Sequence, residues 1–167
     1  MVIVVMGVSG SGKTTVGSLL AARLGWPYAE ADDLHSPENI AKMASGQPLT
    51  DADRRPWLEA IAGWIDSRAA AGASGVVTCS ALKRSYRDLL RGGRPTVRIV
   101  YLAGSRDIIA RRLTGRQGHF MTAAMLDSQF ADLEPPTPDE DVVAVPIDRS
   151  PDDTVDAILA ALDLQRA

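Results

Sequence analysis

The sequence predicts a doubly wound α/β sandwich, a parallel sheet with helices on both faces. Two observations carry this. Short, continuous apolar runs rich in β-branched residues recur along the chain, as suits strands buried on both faces. Between them lie segments with the stripe and capping chemistry of amphipathic helices, and that alternation is the signature of the fold.

The strand runs are Val2–Met6, Val76–Cys79, Val97–Leu102 and Val142–Val145, with a weaker one at Pro27–Ala31. A helix follows the first run, with Val16, Leu19, Leu20 and Leu24 as its inner face. Ser36-Pro37-Glu38 is a helix start: an N-cap, a proline at the first helical position and an acid in the first turn. Trp57, Leu58, Ile61, Trp64 and Ile65 form a stripe on a helix expected to begin near Pro56. Ile109 and Leu113 anchor a shorter helix after Ser105. Ser150-Pro151-Asp152-Asp153 repeats the start signal ahead of Val155, Ile158, Leu159 and Leu162, spaced i, i+3, i+4, i+7. Pro135-Pro136-Thr137-Pro138 reads as a loop, too short to link domains, so residues 1–167 are expected to form one domain.

Composition narrows the function. Apolar residues make up 46% and charged residues 23%, and the net charge is −3. That balance argues against nucleic acid or a membrane surface as partner. The single cysteine, Cys79, cannot form an internal disulfide and falls in a core strand. The N-terminal run lacks a basic region and enters a glycine motif directly, unlike a signal peptide, and no apolar run is long enough to span a bilayer. A cytoplasmic location is the expectation.

Gly7-Val8-Ser9-Gly10-Ser11-Gly12-Lys13-Thr14 matches G-x-x-x-x-G-K-[ST] in full, between a buried strand and a helix. Glycines let backbone N–H groups converge on phosphate oxygens at a helix N-terminus. Gly7, Ser9, Gly10, Ser11, Gly12, Lys13, Thr14 and Thr15 are therefore candidate nucleotide ligands. Lys13 would reach the β- and γ-phosphates, and the Thr14 hydroxyl would ligate Mg²⁺. The motif implies ATP or a related nucleotide; a GTPase, a motor or a regulatory ATPase would share it.

The acceptor side is read from charges that follow. Glu30 and Asp32 alternate at the carboxyl end of the second strand, where ligands of open α/β sheets bind. A carboxylate there can take a hydroxyl proton or hold Mg²⁺ waters; an acidic solvated loop has the same spacing. Arg54 lies in an Asp- and Arg-rich segment, and Lys83 and Arg87 are four apart on a predicted helix. Spacing alone favours a solvated surface for the pair, yet such cations suit a carboxylate-bearing substrate. Arg111, Arg112 and Arg116 precede Gly118-His119-Phe120-Met121, a pattern that suits a lid closing over transferring phosphate. Both histidines, His35 and His119, fall in these segments.

These residues resemble the bacterial gluconokinases, small relatives of shikimate kinase. The matching segments are Met6–Thr14, Asp32-Asp33-Leu34-His35, Asn39–Arg54 continuing through Pro56-Trp57-Leu58, Cys79–Arg91, Gly118-His119-Phe120 and Gln129-Phe130. The resemblance implies phosphorylation of D-gluconate by ATP to 6-phosphogluconate. It also implies a five-stranded parallel sheet of order 2-3-1-4-5, a mobile lid at about 115–125 and, in many members, a homodimer. Carried onto this sequence, it makes Asp32 the group facing the substrate hydroxyl and His35, Arg54, Lys83, Arg87, His119 and Gln129 substrate ligands. Lys13 and Arg116 join Asp32 as catalytic groups, and adenine is expected between Arg112 and Arg149-Ser150-Pro151. Glu30 departs from the Asp of many relatives. A kinase for another small hydroxy acid such as shikimate, or a nucleotide-binding module without turnover, are the alternatives.

Overall fold

The computed structural model of the chain describes residues 1–114 and 123–165. Five strands form one sheet: β1 (Val2–Met6), β2 (Tyr28–Glu30), β3 (Gly75–Thr78), β4 (Val97–Ala103) and β5 (Val143–Pro146). Their order is β2-β3-β1-β4-β5, and every pairing is parallel. This is the order the resemblance implied. The helices are α1 (Lys13–Leu24), α2 (Pro37–Ala44), α3 (Asp51–Ala70), α4 (Arg84–Arg91), α5 (Arg106–Thr114), α6 (Ala123–Asp132) and α7 (Pro151–Ala161).

The pleat of β1 divides the interior. Ile3 and Val5 point into a core shared with Val16 and Leu20 of α1, Ile109 of α5 and Ile158 of α7. Val2, Val4 and Met6 point to the other face, onto Leu58, Ile61 and Ile65 of α3 and Leu90 of α4. A strand buried on both faces has no polar side to show, so its sequence is apolar throughout.

Two sequence expectations shift. Helix α3 begins at Asp51, well before Pro56. Thr50 accepts from the N–H of Asp53, while the Asp53 carboxylate accepts from the N–H of Thr50. This reciprocal cap starts the helix early, and Pro56 forfeits only one N–H inside it. Arg54 consequently stands on a helix. Strand β2 stops at Glu30, and Ala31–Leu34 form a 3₁₀ turn, so Asp32 sits on the turn rather than on the strand. The expected lid falls largely outside the described residues, as do Arg116 and His119; Ala123 to Met125 open α6.

Candidate active site

The loop between β1 and α1 has the build of a phosphate cradle. Gly12 caps α1 at φ 92° with no side-chain hydrogen bond, and no acid stands in the first turn, so the helix end keeps its positive field. At Gly10 (φ 83°) a Cβ would lie 2.9 Å from the side chain of Leu113, which seats the loop on α5. Ser11 is fully buried, and its Oγ has no partner among the described residues. Lys13 Nζ donates to the carbonyls of Gly7 (2.9 Å) and Val8 (3.1 Å). Burial pushes the Lys13 ammonium below its ordinary pKa, while Asp32, Cys79 and Glu30 pull the other way. A glycine-rich loop, an uncapped helix N-terminus and one desolvated cation suit an anion with several oxygens.

Beside the cradle lies a small pocket of about 80 Å³ lined by Ser11, Gly12, Thr15, Arg112, Arg149 and Pro151. Arg112 donates to the carbonyl of Ile147 and so spans α5 to the segment after β5. On the other side a cleft of about 750 Å³ runs from Lys13 and Thr14 to Asp32, His35, Arg54 and Gln129.

Along this cleft the polar groups are held in defined networks. The Glu30 carboxylate accepts from Thr78 Oγ1 at 3.0 Å and from the hydroxyl of Tyr28. Burial raises the Glu30 pKa, but the hydrogen bonds from Tyr28, Thr14 and Thr78 outweigh it and hold the carboxyl below its ordinary value. Glu30 thus faces Thr14 through its hydroxyl. The His35 ring stacks on Trp57, centroids 4.4 Å apart and planes 11° from parallel. Trp57 Nε1 in turn donates to the carbonyl of Ala31, which fixes the 3₁₀ turn that carries Asp32. Burial lowers the His35 pKa; Asp32 opposes that and Arg54 adds to it.

At the far end, Arg54 donates to Tyr86 Oη at 3.0 Å and lies 3.9 Å from the Asp132 carboxylate. Tyr86 donates to Asp51, and Lys83 Nζ donates to the same carboxylate at 3.0 Å. From α6, Gln129 accepts the Ser9 N–H at 2.6 Å and donates to Ser9 Oγ at 2.9 Å. One turn later the same helix carries Asp132, so α6 touches the cradle and Arg54 together.

The arrangement has counterparts. Residues 2–136 match a family model described as an AAA domain. A gluconokinase of Gluconobacter oxydans is 50% identical over 94% of this chain and 88% of its own. The thermoresistant gluconokinase of Escherichia coli is 47% identical over 87% of this chain and 84% of its own. The crystal structure of a gluconokinase from Sinorhizobium meliloti superimposes with a TM-score of 0.88 at 48% identity, covering 96% of this chain and 90% of that one. The chain belongs to the gluconokinase family.

Of the residues that the gluconokinase resemblance singled out, the structure brings Lys13, Thr14, Asp32, His35, Arg54 and Gln129 onto one cleft. Lys83 stands at the N-terminus of α4, turned to Asp51. Arg87 requires a correction. It is 1% exposed, neither on a solvated face nor on the cleft. Its Nε donates to Glu140 Oε1 at 2.7 Å, Nη1 to the carbonyls of Ala81 and Leu82, and Nη2 to the carbonyl of Glu134 and to Glu140 Oε2. All five guanidinium N–H groups are engaged by the scaffold.

Sequence reasoning passed over Tyr28, Asn39, Tyr86 and Asp132. Signals existed for two of them. Tyr28 and Glu30 share a strand face by alternation, and Asp132 lies three residues after Gln129 on one helix. Cys79 belongs to the core as expected: burial pushes its thiol up to about 12, far from nucleophile range.

Proposed function

We propose that this chain transfers the γ-phosphoryl group of ATP to the 6-hydroxyl of D-gluconate, giving 6-phospho-D-gluconate and ADP. The observation that carries the reading is the continuous cleft joining the cradle at Lys13 and Thr14 to Asp32, His35 and Arg54. Membership of the gluconokinase family supports the same acceptor.

The amides of Gly10, Gly12, Lys13 and Thr14 and the Lys13 ammonium hold the phosphate tail and offset charge developing on it. The small pocket between Arg112 and Arg149 takes the base end of the nucleotide. Thr14 would be the protein ligand for Mg²⁺, its hydroxyl donating a hydrogen bond to the Glu30 carboxylate and keeping a lone pair for the cation. When bound, Mg²⁺ would supply charge neutralisation at the phosphate oxygens. Among the described residues no group of three or more His, Cys, Asp and Glu side chains is placed to hold a metal ion.

Asp32 orients the acceptor hydroxyl and takes its proton as the new P–O bond forms. Arg54 meets the substrate carboxylate, exchanging its long contact with Asp132 for a charge-assisted pair. His35 and Gln129 bind between these points.

A coupled ADP-release assay over a panel of sugar acids, shikimate and neutral sugars tests the reading. D-gluconate should stimulate ADP release above every other compound. Equal or greater turnover with shikimate, or no acceptor-dependent release at all, would defeat it.

A further inference from the structure

Asn39 is a polar residue of α2 that is only 6% exposed. Its Nδ2 lies 2.9 Å from the carbonyl oxygen of Asp53 and 3.3 Å from Nδ1 of His35. A backbone carbonyl can only accept, so the NH₂ end of the amide faces Asp53. The second hydrogen of that NH₂ is then the one offered to His35. An NH₂ group cannot accept, so Nδ1 is the acceptor and the ring proton resides on Nε2.

We propose that Asn39 is a positioning residue that holds His35 as its neutral Nε2–H tautomer, so that the ring offers an uncharged donor to a hydroxyl oxygen of the sugar acid. The proposal rests on the reading of His35 as a substrate ligand. The surroundings leave little alternative. One ring face is covered by Trp57 and the Nδ1 edge is taken by Asn39, so Nε2 is the polar atom left for the cleft that His35 lines. Charged groups face the ring from two elements: Asp32 on the 3₁₀ turn favours imidazolium, and Arg54 on α3 disfavours it. Burial disfavours it further. Protonating Nδ1 would also set two donors, N–H against NH₂, face to face. Asn39 is itself anchored through Asp53, whose carboxylate caps α3 and pairs with Lys42 at 2.6 Å. The tautomer is therefore tied to the junction of α2 and α3 that carries Arg54.

The chain has two histidines, so ¹⁵N-histidine labelling of the full protein gives two ring systems, assigned with H119Q. Long-range ¹H–¹⁵N spectra should show His35 protonated at Nε2 and bare at Nδ1, titrating below the ordinary 6.5. In Asn39→Leu the preference for Nε2–H should weaken, and in Asn39→Asp the proton should move to Nδ1 and the ring titrate higher. The gluconate KM of Asn39→Leu should rise on the order of tenfold, that of ATP by no more than about twofold. A wild-type ring carrying its proton on Nδ1, or charged near neutral pH, overturns the proposal and needs no variant to fold. A tautomer indifferent to Asn39→Leu also overturns it. A tautomer that follows Asn39 with an unchanged gluconate KM upholds the positioning but removes His35 from the substrate ligands, which is failure of the underlying reading.

Discussion

On the function proposed above, Asp32 serves the chemistry of the cleft and Arg54 its recognition of substrate. Asp32 is held on its turn by the Trp57 bond to Ala31 and faces the Lys13 end. In Asp32→Asn the shape persists but the proton acceptor is lost. Steady-state kinetics should show kcat lower by about 10²–10⁴-fold, with ATP affinity little changed. Near-normal turnover would remove the base assignment. Arg54→Ala should act on KM for gluconate instead. A charge-assisted hydrogen bond contributes about 1.5–3 kcal/mol, so a rise of roughly ten- to a hundredfold is expected. Lys83→Ala should give a visibly smaller rise, because Lys83 is paired with Asp51 and does not line the cleft. Equal effects from the two would place Lys83 on the substrate as well.

Between the elements, the buried Arg87–Glu140 pair fastens two connections that frame the cleft. Arg87 holds the carbonyls of Ala81 and Leu82 after β3, where Ala81 is forced to φ 45°. Glu140, 4% exposed, belongs to the 3₁₀ turn before β5. Arg87→Ala would leave Glu140 buried and unpaired, at a cost of about 3–5 kcal/mol. For a chain of this size that corresponds to a Tm lower by roughly 6–20 °C. The double variant Arg87→Met, Glu140→Leu should recover much of that loss in thermal unfolding, with gluconate KM close to wild type. A large KM rise in the double variant would return Arg87 to the substrate. Hydrogen bonds from Arg87, ahead of the opposing effect of burial, hold the Glu140 carboxyl at about 2, below its ordinary 4.5. Since the folded value is the lower one, this stabilisation is complete above about pH 4.5 and is lost as pH falls toward 2. Glu140→Gln should flatten the acid limb of a stability–pH curve measured by denaturant titration.

At the scale of the whole molecule, contiguous signals were legible and distant ones were not. The cradle could be read because its strand, glycines, lysine and helix lie in one stretch, Val2–Leu24. The sheet order came from resemblance, since apolar runs carry no record of which neighbour they pair with. Pro56 draws the expected start of α3 too late because a proline is a loud local signal, and it masks the equally local Thr50–Asp53 cap three residues apart. Strict alternation placed Glu30 and Asp32 on one strand face, yet the chain leaves β geometry at Ala31 and brings both to the cleft by a turn. Arg87 looked like surface because its acid partner lies 53 residues further along the chain. No spacing rule on α4 reveals a loop that returns from beyond α6. Among the described residues no helix is long and apolar enough to cross a membrane.

The lone sulfhydryl on the cleft wall supplies a built-in clock. Cys79 is 2% exposed and its thiol is pushed up to about 12, so in the closed fold it offers reagents neither access nor thiolate. Alkylation must therefore wait for the chain at the carboxyl end of β3, an interior strand, to open. With one thiol per chain, mass spectrometry of iodoacetamide labelling would time that opening without any engineered probe. Ligands that occupy the cleft and brace it should slow the clock together more than either does alone.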